Sequence, residues 1–312
     1  MTDLRSLTRK QLRALAATVE TGSVTGAAKA LHLTPPAITT ALKLLEASVG
    51  APLFDRASSN FAPTAIGAEL LEAARGVERL VEQAGGRIAA LRAGAAGSLV
   101  FGVVSTAKYL APRIVAAFHA AHPQIRVRLA IGNRSEIIRG LERNEYDIVL
   151  MGRPPPHVEV ESVAMADHPH VLIAAAGHRL AGAASVTAED LAHERFLARE
   201  QGSGTRMLME NFLERIGGRA LDVMEMGSNE TIKQSVLAGL GLAIISAHTC
   251  LAELGQHKLV ALPAHGLPLV RQWFLLNRAD RPPTKAVQIF GAFISDGRRD
   301  FFPQIGAADF YG

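Results

Sequence analysis

Cysteine is nearly absent from this 312-residue chain, with Cys250 the only one. A single thiol forms no intrachain disulfide, which excludes a disulfide scaffold and fits a reducing compartment. Its neighbours, T-C-L, give no support to a thiol nucleophile. Long hydrophobic runs are also missing. The longest apolar stretch, Leu237 to Ala247, is about 11 residues and contains Gly239 and Gly241. That is too short to span a bilayer. The start, M-T-D-L-R-S-L-T-R-K, has no apolar run of signal-peptide length, so a cytoplasmic protein with no membrane partner is expected.

Catalytic motifs are lacking too. There is no G-x-S-x-G, no Walker loop, no H-E-x-x-H and no C-x-x-C. Q-G-S-G-T-R (201–206) puts glycine on both sides of Ser203 without elbow spacing. His168 and His170 form an H-P-H pair with no partner Cys or carboxylate at ligand spacing. No enzyme activity, metal or cofactor is expected.

What is present is apolar residue content of 48% against 20% charged, which excludes a wholly disordered chain. The length suits two or three domains. Lysine and arginine number 33 against 29 acids, a net of +4. Residues 1–60 carry +3 of it, residues 61–92 carry 0 and the remainder +1. A basic front on a neutral body suggests a polyanion for the front, although such a charge is also ordinary for a soluble surface.

Thr8 can cap a helix with apolar Leu12, Leu15, Ala16 and Val19, ended by Gly22. Ser23 can cap a short second helix through Leu31. Thr34 caps a third, with Pro35 at its first position. There Ile38, Leu42, Leu45 and Val49 form one buried stripe. The opposite face carries Pro36, Thr40, Lys43 and Ala47, with Thr39 beside it. Small and hydrogen-bonding residues let a helix approach base edges and phosphates. Helix, tight turn and helix read as a helix-turn-helix, with a plain three-helix module equally open on spacing alone. Phe54 is the only aromatic in this front, which argues against single-strand binding by stacking.

Over 65–92, Ile66, Leu70, Ala74, Val77, Val81, Ala84, Ile88 and Leu91 follow alternating steps of three and four, an a/d seam that suits a dimerising helix. Gly85 and Gly86 are expected to loosen or bend its last part, at about 1 kcal/mol each relative to Ala. A-G-A-A-G-S (93–98) reads as a hinge.

From residue 98 strands and helices alternate, predicting an α/β body with largely parallel sheets. Strands are expected at 99–104, 125–131, 146–151, 158–164, 170–176, 195–199, 221–226, 242–246, 258–262 and 270–276. Four helix starts follow strands: Ser105-Thr106-Ala107-Lys108, Asn133-Arg134-Ser135, Gly202-Ser203-Gly204-Thr205-Arg206 and Gly227-Ser228-Asn229-Glu230. Free N–H groups and hydroxyls there bind anions, and Lys108, Arg134, Arg153 and Arg206 lie nearby. Each can equally be a plain cap or surface cation. Together the four cations favour an anionic ligand.

The stretch S-V-T-G-A-A-K-A-L-H-L-T-P-P-A-I-T-T-A-L-K-L-L-E-A-S-V-G-A-P-L-F-D-R (23–56), closed by A-P-T-A-I-G (62–67), resembles the winged helix-turn-helix of LysR-type transcriptional regulators. The resemblance implies a wing around 52–64 with Arg56 on the DNA backbone, and Thr34, Pro36, Thr39, Thr40 and Lys43 at the groove. Pro35 stands where the family usually has Gln, and Thr39 where it often has Ser, so the operator cannot be borrowed. The stretches V-S-T-A-K-Y-L-A-P (104–112), G-N-R (132–134), L-M-G-R-P-P (150–155), H-P-H-V-L-I-A (168–174), R-E-Q-G-S-G-T-R (199–206) and M-G-S-N-E-T-I-K-Q-S-V-L-A-G-L-G (226–241) resemble the CbbR subgroup, which regulates Calvin–Benson cycle operons including that of ribulose-bisphosphate carboxylase.

The resemblance implies a DNA-binding domain at 1–64, a dimerising linker helix at 65–92 and a hinge at 93–97. It implies an effector domain at 98–312 made of two Rossmann-like lobes of the type-2 periplasmic-binding-protein kind. Lobe 1 would take about 98–166 and 269–295, and lobe 2 about 167–268. The partners implied are double-stranded promoter DNA, RNA polymerase and an anionic effector, with a homodimer assembling to a homotetramer. Candidate effectors are ribulose 1,5-bisphosphate, phosphoenolpyruvate and NADPH. Their contacts would fall among Ser105, Thr106, Lys108, Asn133, Arg134, Arg153, Gly202, Ser203, Thr205, Arg206, Ser228, Asn229 and Glu230. A LysR-type regulator with a carboxylate effector is the alternative. The body alone would also permit a solute-binding protein or a small-molecule enzyme.

Overall fold

The computed structural model describes residues 7–55, 60–92, 97–217, 222–306 and 310. The chain divides into two compact units, Met1–Ala89 and Ala90–Gly312.

The first unit packs three helices, α1 (Arg9–Thr21), α2 (Val24–Leu31) and α3 (Pro35–Val49), around Leu15, Ala27, Ile38 and Leu45. The expected caps form. Thr8 and Gln11 make a reciprocal capping box on α1, Gly22 ends it at φ 65°, and Ser23 caps α2. A left-handed residue costs least as glycine, so Gly22 permits the tight turn into α2. Thr34 occupies the α3 cap position but makes no side-chain bond to the helix, and it is exposed. Phe54 and Pro63 pair antiparallel across the wing. Arg56 lies outside the described residues.

Helix α4 (Ala65–Arg92) runs unbroken through Gly85 and Gly86. Its seam differs from the one read in the sequence. Ala74 and Leu71 are buried in the core of the first unit, while Leu80, which the seam omits, is exposed. The helix has to serve its own core as well as a second face, so one heptad stripe cannot describe it. Ile66, Val77, Val81 and Ile88 of the seam remain exposed.

The second unit departs from a largely parallel design. Strands β1 (Gly97–Val104), β2 (Ile125–Gly132) and β3 (Ile148–Met151) pair in parallel. The two strands expected at 158–164 and 170–176 are one long strand, β4 (Val160–Ala175). It pairs antiparallel with β9 (Leu269–Arg278) from Val160↔Arg278 to His170↔Leu269, with a bulge between Ala164 and Ala166. Pro169 does not end the strand, because β4 has only β9 beside it there and its pairing with β7 starts at His170. Antiparallel β3–β9, β4–β7 (Ala243–Ser246) and β4–β8 (Leu259–Ala261) pairs complete a seven-stranded mixed sheet. Strands β5 (Arg195–Arg199) and β6 (Asp222–Met226) form a separate parallel pair. Gly97 belongs to β1, not to the hinge expected at 93–97; 93–96 lie outside the described residues.

Helices α5 (Ala111–Ala121), α6 (Arg134–Glu142) and α11 (Lys285–Asp296) cover the β1–β3 end, around Phe101, Phe118 and Phe290. Helices α7 (Ala188–Ala192), α8 (Gly204–Arg215), α9 (Asn229–Leu237) and α10 (Leu251–Gly255) surround the other end. There Phe196 and Phe212 lie in one core and Ile232 and Ile245 in a second. After α12 (Arg298–Phe301), Phe301 and Phe302 stay in the first core, whereas Ile305 and Phe310 pack on the far lobe. The tail thus ties both lobes.

Gly67 at the start of α4 meets the wing at close quarters. A Cβ there would lie within 2.0 Å of the Leu53 carbonyl oxygen. Gly67→Ala should destabilise the first unit by about 2 kcal/mol through forced backbone movement, read as a lowered thermal midpoint.

Candidate effector site

A cleft of about 640 Å³, solvent included, opens where the lobes face each other. One wall is the end of β1, Val104 with Ser105 and Thr106; Arg134 stands at the start of α6, and Gly152 and Arg153 follow β3. The opposite wall is the first turn of α8, from Ser203 to Thr205, with Met207 and Leu208 beyond. His168 and His170 of β4 and Arg271 of β9 complete it.

Each wall has a local cause. Asn133 caps α6 in a capping box with Glu136, which fixes Arg134 at the first helical position. Arg134 Nη1 donates to the Arg153 carbonyl at 2.6 Å. Burial, then the nearby Arg153 charge, pushes its pKa down from the ordinary arginine value. Ser203 caps α8 without a side-chain bond to the helix, so the N–H groups of the first turn face the cleft with a hydroxyl beside them. Arg134, Arg153 and Arg271 bring three guanidinium groups to the lining, and no carboxylate lines it among the described residues. Such a site attracts anions.

Cross-lobe bonds hold the walls in place. Buried Arg199 on β5 donates to Ser105 Oγ at 3.1 Å and to Asn229 Oδ1 at 2.6 Å, and it pairs with Glu200. Ser135 N and Oγ both donate to the Gly202 carbonyl. Tyr109 OH donates to Glu230 Oε2 at 2.9 Å.

Several residues read as ligand contacts have these other tasks. Arg206 is turned away from the cleft. It pairs with Glu210 at 2.8 Å and Glu225 at 2.6 Å, one helical turn on and on β6, because successive helical residues point about 100° apart and Arg206 falls between the α8 residues that line the cleft. Lys108 is carried past the cleft by a 3-10 turn (Ser105–Tyr109), where a regular helix start was expected, and lies 5.1 Å from the Tyr109 ring. Asn133 and Ser228 serve as caps. Gly202, at φ 84°, packs its turn on Ser135. Asn229 is 1% exposed and holds Arg199. Glu230 accepts first from Gln234, then from Tyr109 and Lys233, and these bonds outweigh burial and hold its carboxyl down to about 2. Ser105, Thr106, Arg134, Arg153, Ser203 and Thr205 do line the cleft.

Val104, Gly152, Met207 and Arg271 line the cleft without a sequence signal that points to it, and the H-P-H pair, His168 and His170, forms its floor. Arg271 carries no motif. It faces the cleft because its strand pairs with β4 at His168↔Arg271, a partnership more than a hundred residues apart in sequence. A helical phase argument on α8 could have found Leu208 beside Thr205 and Gly204. Among the described residues no His, Cys, Asp and Glu cluster suits a metal ion. Cys250 is fully buried, and burial first pushes its thiol up to about 12, so it stays protonated and unreactive. Among the described residues no helix is long and apolar enough to cross a membrane.

Comparisons with known proteins bear on the whole chain. The LysR substrate binding domain family matches residues 92–299, and the bacterial regulatory helix-turn-helix protein, lysR family, matches residues 9–68. The chain is 48% identical over 285 residues to the HTH-type transcriptional regulator CbbR of Cereibacter sphaeroides, covering 90% of this chain and 92% of that one. It is 38% identical to the RuBisCO operon transcriptional regulator of Allochromatium vinosum, covering 91% and 94%. The regulatory domain of Synechocystis PCC6803 CcmR, solved in complex with 2-PG, superposes with a TM-score of 0.61 at 32% identity, covering 65% of this chain and 98% of that one. The LysR family regulator CbnR superposes with a TM-score of 0.71 at 21% identity, covering 94% and 100%, a likeness of fold.

Arg271→Ala and Arg153→Ala should each weaken the binding of inorganic phosphate by about 10- to 100-fold, the loss expected for a charged hydrogen-bond donor. Arg206→Ala should leave that affinity unchanged, and its exposed ion pairs should cost at most about 1 kcal/mol of stability. Titration calorimetry and thermal melting check the two.

Proposed function

The chain belongs to the LysR-type transcriptional regulators, and from that premise we propose that it controls a ribulose-bisphosphate carboxylase operon as an activator that answers to an anionic metabolite. The observation that carries the effector half is the cleft itself: three guanidinium groups and the start of α8 face a lining without carboxylates among the described residues. The operon half follows the CbbR and RuBisCO operon regulators, to which the chain is similar over nine-tenths of its length.

The protein is cytoplasmic, without enzymatic activity of its own. Its first unit reads double-stranded DNA. Pro36, Thr40 and Lys43 are exposed along α3, as is Thr34 at its cap. Thr39 is half-buried and its hydroxyl bonds the Pro35 carbonyl, leaving Thr40 and Lys43 the better placed to reach DNA. Lys43 contacts a phosphate, and Arg56 of the wing is assigned to the backbone as well. The exposed apolar residues of α4 pair protomers into a dimer that assembles to a tetramer, which sets reading heads on successive half-sites. An effector that binds one tetramer arrangement better than another shifts DNA bending and RNA polymerase recruitment. Ribulose 1,5-bisphosphate, phosphoenolpyruvate, NADPH and the 2-PG of the CcmR complex are the effectors to try first.

Gel retardation and footprinting on the carboxylase promoter should show two adjacent protected half-sites whose pattern changes with ribulose 1,5-bisphosphate or another of these anions. An absent footprint would overturn the operon assignment. Stabilisation by aromatic carboxylates alone, in a thermal-shift panel, would overturn the phosphate-bearing candidates in favour of a carboxylate effector. Lys43→Ala should lower promoter affinity and reduce the salt slope by about one.

A further inference from the structure

The floor of the cleft holds a group that the proposed anion contacts leave unused. His168 is 3% exposed, and its Nε2 meets Ser246 Oγ at 2.9 Å. Its Nδ1 is buried and makes no hydrogen bond. Buried ring nitrogens are seldom left so, and a lone one facing a cavity marks a place for a ligand atom. Gly152 of the cleft lining lies close by: a Cβ there would be 3.3 Å from that Nδ1.

The surroundings favour the neutral form of the ring. Burial first, then the His170 and His248 rings, pushes His168 well below the ordinary histidine value. The His170 ring lies 4.3 Å away on the same strand and the His248 ring 5.8 Å away after β7. Burial chiefly pushes both of these down to about 4. Arg271 on β9, Arg153 after β3 and Arg134 on α6 add positive charge from the other elements around the cleft. Asp167 is exposed and, by strand alternation, points to the opposite face of β4. The cleft therefore holds a neutral ring whose protonation the arrival of negative charge would favour.

We propose that His168 takes up a proton as the anionic effector enters, so that its Nδ1–H donates to a ligand oxygen while its Nε2–H donates to Ser246 Oγ. The inference rests on the reading of the cleft as an anion site. It makes His168 a specificity residue: a multiply charged, phosphate-bearing ligand supplies the charge that pulls the proton in, and a neutral ligand of the same shape does not. Since the complex holds one proton more than the free protein, effector affinity falls as pH rises from the lowered pKa of the free ring to the higher pKa of the ring in the complex, by up to about tenfold per pH unit between them.

The molecule carries its own reporter. Trp273 is the sole tryptophan, and its ring stacks on His168 at 3.7 Å with an interplanar angle of 14°. A protonated imidazole in that position quenches indole emission more strongly than a neutral one.

The test titrates full-length protein with ribulose 1,5-bisphosphate, phosphoenolpyruvate and NADPH in two buffers of different ionisation heat, with Trp273 emission followed in parallel. Wild type should take up about one proton more per ligand bound than His168→Asn, whose amide keeps a donor near Nδ1 but cannot bind a proton. Emission should fall on binding. Equal proton uptake by both proteins with unchanged emission would overturn this inference and leave the anion site standing. Failure of all three ligands to bind would overturn the anion site, and this inference with it. Promoter retardation and melting show whether His168→Asn is folded. If it is not, the wild-type buffer dependence decides, and its absence counts against the proposal.

Discussion

Antiparallel pairing between β4 and β9 joins the two lobes and builds the floor of the cleft in the same stroke. The pairing runs from Val160↔Arg278 at one end to His170↔Leu269 at the other. Its hydrogen bonds cannot be given up piecemeal, since an unpaired buried amide costs more than a single bond contributes. The first end inserts Met165 and Trp273 into the core shared with Phe101 and Phe290. The second end feeds Leu172 and Leu269 into the core around Phe212. Between them, His168, His170 and Arg271 emerge on the cleft side. The walls above this floor belong to separate cores, and the bonds of Arg199 to Ser105, Ser135 to Gly202 and Tyr109 to Glu230 hold them together across it.

Charge is distributed in the effector unit according to whether an acid is near. Arg199 has Glu200, Arg206 has Glu210 and Glu225, and Lys233 has Glu230 and Glu253. These pairs position walls. Arg134, Arg153 and Arg271 face a lining without acids among the described residues. A nearly neutral body thus conceals a strongly positive cleft, because net charge sums over pairs that are already spent on one another.

The first unit follows a simpler logic. Its core is small, with alanines at Ala14, Ala17, Ala27 and Ala28 letting three helices come close. Short, well-capped helices leave one face of α3 free of packing duties. That free face is what a groove can accept. Helix α4 shows the cost of sharing: it gives Leu71 and Ala74 to the core and keeps Ile66, Val77, Leu80, Val81 and Ile88 outside.

Local chemistry written in the sequence determined the helices of the first unit, their caps at Thr8, Gly22 and Ser23, the long helix from 65 and the α/β alternation of the body. Each depends on residues within a few positions of one another, where periodicity and capping rules apply. Half of the cleft was legible for the same reason: Ser105, Thr106, Arg134, Arg153, Ser203 and Thr205 stand at strand ends or helix starts. The rest needed the folded chain. Which way Arg206 points is decided by the phase of α8 and by Glu225 across the sheet. Arg271 meets His168 only because β9 returns to pair with β4, and the bulge between Ala164 and Ala166 sets that register. Side-chain direction on a strand reverses with a shift of one residue, so no reading of composition or spacing could place His168 and Arg271 on one floor. That juxtaposition belongs to the tertiary structure alone.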